Sequence, residues 1–329
     1  MTNLPLPLYA LVTQEEKRST KDGRFFWQMS VKTEIGIIKA VMWNASSNVE
    51  DDPKFPHKGD VLEITGFEDQ VAERGSIVIK GFYKIDKKEL PDSAKSILEI
   101  DKASKKDLES AWSLIADSSF WNDKKHHDFM MTCLNSVDKV KLMESPAATN
   151  VHHAYNGGLI VHTAEVLSLC KGIVEVCDSK YGFMNADSLY CGAILHDIGK
   201  VETYRINEVG VAESVSNEKT IGHLFYGMYM VQSVFEKNDC GVSKRWIDEV
   251  LHLIASHHGL PEWGSVKVIQ SVEAGILSRM DYISSRNGMV EKILKDSIKS
   301  GQPLQDNFQI YGDPYFRSIG MDDYVKDKR

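Results

Sequence analysis

A small closed β-barrel followed by an all-α domain, a multidomain protein of mixed α and β class, is the fold the sequence predicts, on three observations. In roughly the first ninety residues, apolar and polar residues alternate in short runs, the mark of half-buried strands. Between Lys87 and Leu108 the alternation gives way to a charged Lys/Asp/Glu/Ser stretch, after which apolar residues recur at helical spacing. The histidines then crowd between His152 and His258, around an adjacent His196-Asp197 pair set in an apolar run. At 329 residues and 42% hydrophobic composition the chain is long enough for two cores. The expected division is a barrel over 1–88, a linker and helical segment over 89–145, and a helical domain over 146–329.

The barrel strands follow in order. Lys21-Asp22-Gly23 is a turn signal, and after it Phe25, Trp27, Met29 and Val31 alternate with Phe26, Gln28, Ser30 and Lys32. Gly36 to Trp43, Asp60 to Phe67 and Ser76 to Tyr83 supply further strands, separated by Pro53, Pro56, Gly59 and Arg74-Gly75. With a first strand from about residue 8 this makes five, and the five-stranded oligonucleotide-binding (OB) barrel is the commonest module of that size.

Charge narrows what such a barrel would bind. The net charge of −8 argues against a wholesale polyanion binder, and residues 1–90 hold 13 Lys/Arg against 14 Asp/Glu. Residues 17–39 differ: Lys17, Arg18, Lys21, Arg24, Lys32 and Lys39 face only Asp22 and Glu34. A cationic strip beside exposed aromatics suits single-stranded nucleic acid, whose phosphates seek cations and whose bases stack. Arg24, Phe26, Lys39 and Trp43 are the candidate contacts; the alternative is a solvated strand face with its aromatics in the core.

Past the linker, Leu108, Trp112 and Ile115 keep helical spacing, and a second helix is expected around Phe129, Met130, Cys133 and Leu134. Leu159 to Cys177 places His162, Val166, Leu169 and Ile173 on one face, so His162 points into the core. Asp187 is a candidate cap for the next helix, apolar all round from Leu189 to Leu195, which Gly199 is suited to stop. Residues 201–215 carry a Glu-Val-Gly turn between β-branched segments, a candidate hairpin. Thr220 is read as the start of a helix with His223, Gly227, Met230 and Val234 on one stripe. Ser243 to Ser256 ends at His257-His258-Gly259, and Glu273 to Ile283 carries Asp281.

Burying an adjacent His and Asp is costly unless something pairs them, and a metal ion would. His153, His162, His223, His257, His258 and Asp281 stand around His196-Asp197 as further candidate ligands. Imidazole nitrogens with carboxylate oxygens suit Mn²⁺, Fe²⁺, Co²⁺, Ni²⁺ or Zn²⁺ better than Mg²⁺. Six or seven such groups exceed one tetrahedral shell and imply two ions, with the carboxylate of Asp197 as the natural bridge. Paired ions activate water and stabilise charge on a phosphate, so phosphoester hydrolysis is the chemistry that follows. Lys200 is placed to neutralise a phosphate oxygen, or is simply a solvated lysine after a helix end.

At these residues the chain resembles the HD-domain phosphohydrolases, whose pattern H…HD…D is carried by His162, His196-Asp197 and Asp281. His152-His153-Ala154-Tyr155, Gly157-Gly158-Leu159 with His162-Thr163, Gly222-His223, Ser256-His257-His258-Gly259 and Glu273-Ala274, behind an OB-like module, are similar to the YhaM-like 3′-to-5′ exoribonucleases. The resemblance implies that the four HD positions hold one ion, that His223, His257 and His258 complete a second, and that Asp197 bridges. It further implies Mn²⁺-stimulated removal of nucleotides from a single-stranded 3′ end, and His153 is grouped with the nucleic-acid contacts. The chain departs from the family in having Gly264-Ser265-Val266-Lys267 where a Pro is common, and Ser284 where a second Asp is common.

The expected function is therefore a metal-dependent 3′-to-5′ exonuclease acting on single-stranded RNA or DNA, RNA preferred, with Asp197 and Lys200 in the catalytic role and two divalent ions, Mn²⁺ first among them. One alternative is an HD phosphohydrolase of nucleotides, cyclic nucleotides or cyclic dinucleotides. The other is a non-catalytic, metal-stabilised nucleic-acid-binding protein. Met1-Thr2-Asn3-Leu4-Pro5 has no charged n-region, and no run reaches the ~18 apolar residues of a membrane span, so a cytoplasmic protein without a membrane partner is expected, with an oligomer allowed. Cys133, Cys170, Cys177, Cys191 and Cys240 lack CxxC spacing and read as reduced core thiols.

Overall fold

The computed structural model describes residues 6–34, 36–43, 55–70, 76–149, 152–300, 304, 307–310 and 313–328. Residues 1–5, Pro53 and Arg74-Gly75, to which the sequence reading assigned an N-terminus without a leader and two strand breaks, lie outside these. The chain divides into two compact units, one of 1–100, 208–210 and 293–329, the other of 101–207 and 211–292.

In the first unit, β1 (Leu8–Ser19), β2 (Phe25–Thr33), β3 (Gly36–Trp43), β4 (Val61–Gln70) and β5 (Ser76–Ile85) close into a barrel. The order β1-β2-β3-β5-β4 is antiparallel except where β3 runs parallel to β5. Alternation fills the interior: Ala10 and Val12, then Trp27, Met29 and Val31, then Ala40 and Met42, Leu62 and Ile64, and Ile77 and Ile79 all point inward. Two side chains depart from the expected alternation. Phe25 opens its strand and stays 39% exposed. Lys32 is buried although it falls on the polar face, and its ammonium donates to the Glu99 carbonyl. The stretch after the barrel holds short 3₁₀ turns at Lys87–Glu89 and Asp92–Leu98.

Helices dominate the second unit. α1 (Lys105–Ile115), α2 (Lys124–Asn135) and α3 (Lys139–Glu144) lead into α4 (Gly158–Tyr181) and α5 (Ala186–Leu195). A short α6 (Lys200–Thr203) precedes the hairpin β6 (Tyr204–Ile206) and β7 (Ala212–Ser214), where the Glu-Val-Gly turn was expected. α7 (Ser216–Thr220), α8 (His223–Lys237), α9 (Lys244–Ser256) and α10 (Val272–Ser300) follow, α10 running well past the expected Ile283. A hairpin of β8 (Asn307–Ile310) and β9 (Asp313–Phe316) and a last helix α11 (Ile319–Lys328) belong to the first unit. No helix among the described residues is long and apolar enough to cross a membrane.

Every residue of α5 is buried, as an all-round apolar helix requires, and α4 and α9 pack against it. Its N-cap is Asn185, which accepts from the Ser188 amide, rather than Asp187. Asp187 instead accepts from the Asn122 and Asp123 amides and meets His126 Nδ1 at 2.8 Å, so a tertiary demand takes the better cap away from its helix. Thr220 closes a short helix where a start was expected, because Gly222, at φ +84°, breaks the chain before α8.

Candidate metal centre

The ends of α5 and α9 and the start of α8 meet two positions inside longer helices. His196 is the C-cap of α5 and Asp197 follows it; His257 is the C-cap of α9 and His258 follows; His223 is the first residue of α8. His162 lies on the second turn of α4 and Asp281 on the third of α10. His162, His196, Asp197, His223 and His257 are buried, while His258 and Asp281 are half-buried and leave the centre an open side. Gly199 makes the convergence possible. A Cβ there would lie 2.0 Å from the His223 carbonyl oxygen and 2.6 Å from the Gly227 amide nitrogen. Its φ is −64°, so close approach to α8, and not the left-handed turn that would stop a helix, is what it supplies.

Donor atoms gather in three overlapping groups, His162 with His196 and Asp281, His223 with His257 and His258, and His196 with Asp197 and His257, each within 4.8 Å. In the first, His162 Nε2 stands 3.1 Å from Asp281 Oδ1 and 3.3 Å from His196 Nε2. In the second, His223 Nε2 is 3.4 Å from His258 Nε2. Asp197 lies between them with one oxygen toward each. Its Oδ2 is 3.3 Å from His196 Nε2 and 3.7 Å from His162 Nε2. Its Oδ1 is 3.6 Å from His223 Nε2 and 3.7 Å from His257 Nε2.

The donor chemistry fits metal ions. His196 Nδ1 donates to the Ala193 carbonyl at 2.9 Å, His257 Nδ1 to the Ile254 carbonyl at 2.9 Å, and His223 Nδ1 to Glu218 Oε1 at 2.8 Å. A neutral imidazole that donates through Nδ1 presents a lone pair at Nε2, so these rings aim lone pairs inward. Asp197 Oδ1 and His257 Nε2 are buried there without a hydrogen-bond partner. Lone pairs facing one another around a carboxylate want a cation.

Titration behaviour agrees. Burial opposes ionisation of Asp197, but Lys200 and His196 overcome it and hold the carboxyl well below its usual range. Asp281 is likewise held down, its burial outweighed by His162 and His196. Burial lowers His162, His257 and His258, keeping their rings neutral and able to ligate. At His196 burial is outweighed by Asp197 and Asp281, which raise it: the carboxylates draw positive charge inward.

Residues 159–286 match the HD domain family model. Relatives extend along nearly the whole chain: proteins named 3′-5′ exoribonuclease YhaM from Geobacillus sp., 26% identical over 95% of this chain and 91% of the relative, and from Bacillus subtilis, 24% identical over 94% and 93%. A third, from Shouchella clausii, is 28% identical over 87% of this chain and 85% of its own. The chain is thus similar to the YhaM proteins along most of its length and carries a segment that matches the HD domain. No solved structure matches it.

Around the HD pair, Lys200 is buried, against the solvated alternative, with Nζ 2.6 Å from Asp197 Oδ2. His153 is buried too; its Nε2 meets Glu165 Oε1 at 3.2 Å, so it faces protein and not an open groove. The other nucleic-acid candidates lie in the barrel. Phe26 and Trp43 pair across β2 and β3 with ring centroids 5.0 Å apart, and Trp43 is 38% exposed. Lys39 is exposed on β3, whereas Arg24 is held by Asp22 at 2.8 Å and Arg18 by Glu16 at 2.8 Å, so the strip is less cationic than its composition. Sequence reasoning missed Glu218, which orients His223 through both its amide and its ring, and Glu165 and Ser284 behind His162. Spacing was the available signal: Glu165 and Ser284 each follow a candidate ligand, His162 and Asp281, by one helical turn.

Proposed function

We propose that the chain is a metal-dependent 3′-to-5′ exonuclease that hydrolyses phosphodiester bonds of single-stranded nucleic acid, RNA in preference to DNA, in the cytoplasm. The observation that supports it most is Asp197, buried, with one oxygen toward each of two donor groups. In this reading His162, His196 and Asp281 would hold one divalent ion and His223, His257 and His258 the other, Asp197 would serve both, and Mn²⁺ is the first candidate. Such a pair supplies an acidified water and charge stabilisation for in-line displacement at phosphorus. The protein's share is to fix the donors. Hydrogen bonds from Nδ1 point the imidazoles inward, Lys200 holds Asp197 and offers a cation to a phosphate oxygen, and the open side at His258 and Asp281 admits a strand end. The barrel, 1–88, holds the strand, with Phe26 and Trp43 stacking bases and Arg24 and Lys39 meeting phosphates. Residues 89–145 connect it to the hydrolytic domain, 146–329, which includes His153.

The test uses metal-stripped full-length protein with single-stranded RNA or DNA labelled at the 5′ end, supplied with Mn²⁺, Mg²⁺ or neither, beside Asp197→Ala. A ladder that shortens from the 3′ end, only with metal and intact Asp197 and faster on RNA, is expected. Oligomers left intact under every metal, with Mn²⁺ bound to the protein, would overturn the proposal and point to a nucleotide or cyclic dinucleotide substrate.

A further inference from the structure

Behind His162 runs a chain of hydrogen bonds that ends on a carboxylate. His162 Nδ1 lies 3.0 Å from Ser284 Oγ, Ser284 Oγ donates to Glu165 Oε2 at 2.8 Å, and Glu165 Oε1 is 3.2 Å from His153 Nε2. The geometry comes from two helices in facing register. His162 and Glu165 are one turn apart on α4, Asp281 and Ser284 one turn apart on α10, and the ligand pair sits at one level while Glu165 and Ser284 sit at the next. Ser284 is 1% exposed.

Proton direction along this chain is settled by its end. Glu165 ends it as an acceptor: its Oε2 takes the Ser284 hydroxyl hydrogen, its Oε1 faces His153 Nε2, and a carboxylate has no hydrogen to give back. The Ser284 hydroxyl has one hydrogen and gives it to Glu165; toward His162 it has only lone pairs left. Ser284 therefore favours the hydrogen on His162 Nδ1, against Asp281 Oδ1 at 3.1 Å from Nε2, and that form leaves the Nε2 lone pair for a cation. A hydroxyl alone would accept from or donate to Nδ1 with equal ease. His153 braces the far side: its backbone is left-handed at φ +48°, and its ring packs where a Cβ on Gly288 of α10 would come within 3.0 Å.

We infer that Ser284 and Glu165 are positioning residues that act as a relay, fixing His162 in the tautomer whose Nε2 can bind a divalent cation. The other rings obtain the same result directly, His196 and His257 from carbonyls and His223 from Glu218. His162 alone of these four does so through an intermediary hydroxyl. The inference rests on the proposed metal site, and its test separates the two.

Long-range ¹H–¹⁵N spectra of metal-stripped protein with ¹⁵N-labelled histidine, the His162 signal assigned by its loss in His162→Gln, read the tautomer without any metal. The Nδ1–H form is expected in the native chain and a mixture of tautomers in Ser284→Ala and in Glu165→Gln, with unfolding midpoints showing that each variant folds. Calorimetric titration with Mn²⁺ alone should then show one ion bound ~10–100-fold more weakly in both variants, the usual cost of losing an outer partner. A His162 tautomer and Mn²⁺ affinity unchanged in folded Ser284→Ala, or in Glu165→Gln should the first variant not fold, would overturn the relay. A native protein that binds no Mn²⁺ would overturn the metal site, while the tautomer spectrum of stripped protein still decides the relay.

Discussion

The two halves of the centre offer equal numbers of private donors and unequal charge. His162, His196 and Asp281 bring a carboxylate of their own; His223, His257 and His258 are imidazoles only, and the nearest additional anion, Glu218, stands behind His223 on its Nδ1 side. Both halves share Asp197. In the proposed two-ion centre an ion in the first half would therefore meet two carboxylates and one in the second a single carboxylate, which would make the first the stronger site for a hard divalent cation. The lesson is that ligand count and ligand charge are separate quantities, and only charge predicts the order of filling.

Removing the shared residue tests whether the halves are a unit. Asp197→Ala deletes the bridge and leaves Lys200 buried without its partner, so nuclease activity should fall by more than ~100-fold, beyond the loss an outer partner causes, and both ions should be lost from the dialysed protein by metal analysis. Retention of one ion would show that the halves bind independently. The next effect discriminates between them. Asp281→Asn removes the private anion of the first half, and His258→Gln removes a half-buried neutral ring from the second. Calorimetry with Mn²⁺ should show His258→Gln losing the weaker of two binding events, and Asp281→Asn losing the tighter. Identical isotherms would abolish the distinction.

How far this was legible in the sequence follows from the same chemistry. The cluster of candidate donors could be read because metal binding restricts residue types, and an adjacent His196-Asp197 in an apolar run has few other uses. The barrel could be read because a pleated strand writes its two faces into alternate positions, as at Trp27, Met29 and Val31. What stayed hidden depends on contacts between distant residues. Asp187 looks like a helix cap until Asn122, Asp123 and His126 claim it, and Lys32 looks solvated until its ammonium finds the Glu99 carbonyl. The orienting residues Glu218, Glu165 and Ser284 carry no type restriction strong enough to be noticed, since any acceptor in the right place would serve. Gly199 was assigned the wrong task for a related reason: a glycine after a helix suggests a stop, whereas its use here is contact with an element more than twenty residues away.

That contact gives a smaller, structural test of how the halves are held together. Gly199→Ala would drive a methyl group into the His223 carbonyl and the Gly227 amide, backbone atoms that cannot rotate away. Overpacking of this kind costs ~1–3 kcal/mol, read as a lower unfolding midpoint in denaturant. Because His223 belongs to the second half, Mn²⁺ binding there should weaken while the tighter event persists. A stable variant with both events intact would show that α8 yields freely.

Protonation supplies the mildest comparison. His257 and His258 are lowered by burial, with neighbouring imidazoles adding to it, and His152, beside His162, is lowered to about 3, again chiefly by burial. A histidine whose folded pKa lies below its unfolded value of ~6.5 takes up its proton more readily in the unfolded chain. Each therefore contributes stability that is complete above ~6.5 and is lost as pH falls from there toward the folded pKa, at about 1.4 kcal/mol per pH unit per proton. His196 is raised and works in the opposite sense: its contribution is complete below ~6.5 and disappears as pH rises through its folded pKa. Among the ligands the first half thus carries one lowered ring, His162, against one raised ring, His196, and the second carries two lowered rings, His257 and His258. Denaturant unfolding of metal-stripped protein between pH 7.5 and 5.5 should show stability falling on acidification. His258→Gln should flatten that fall, and His196→Gln should steepen it by removing the group that opposes it. The same slope in all three proteins would mean that the proton preferences of the two halves do not differ.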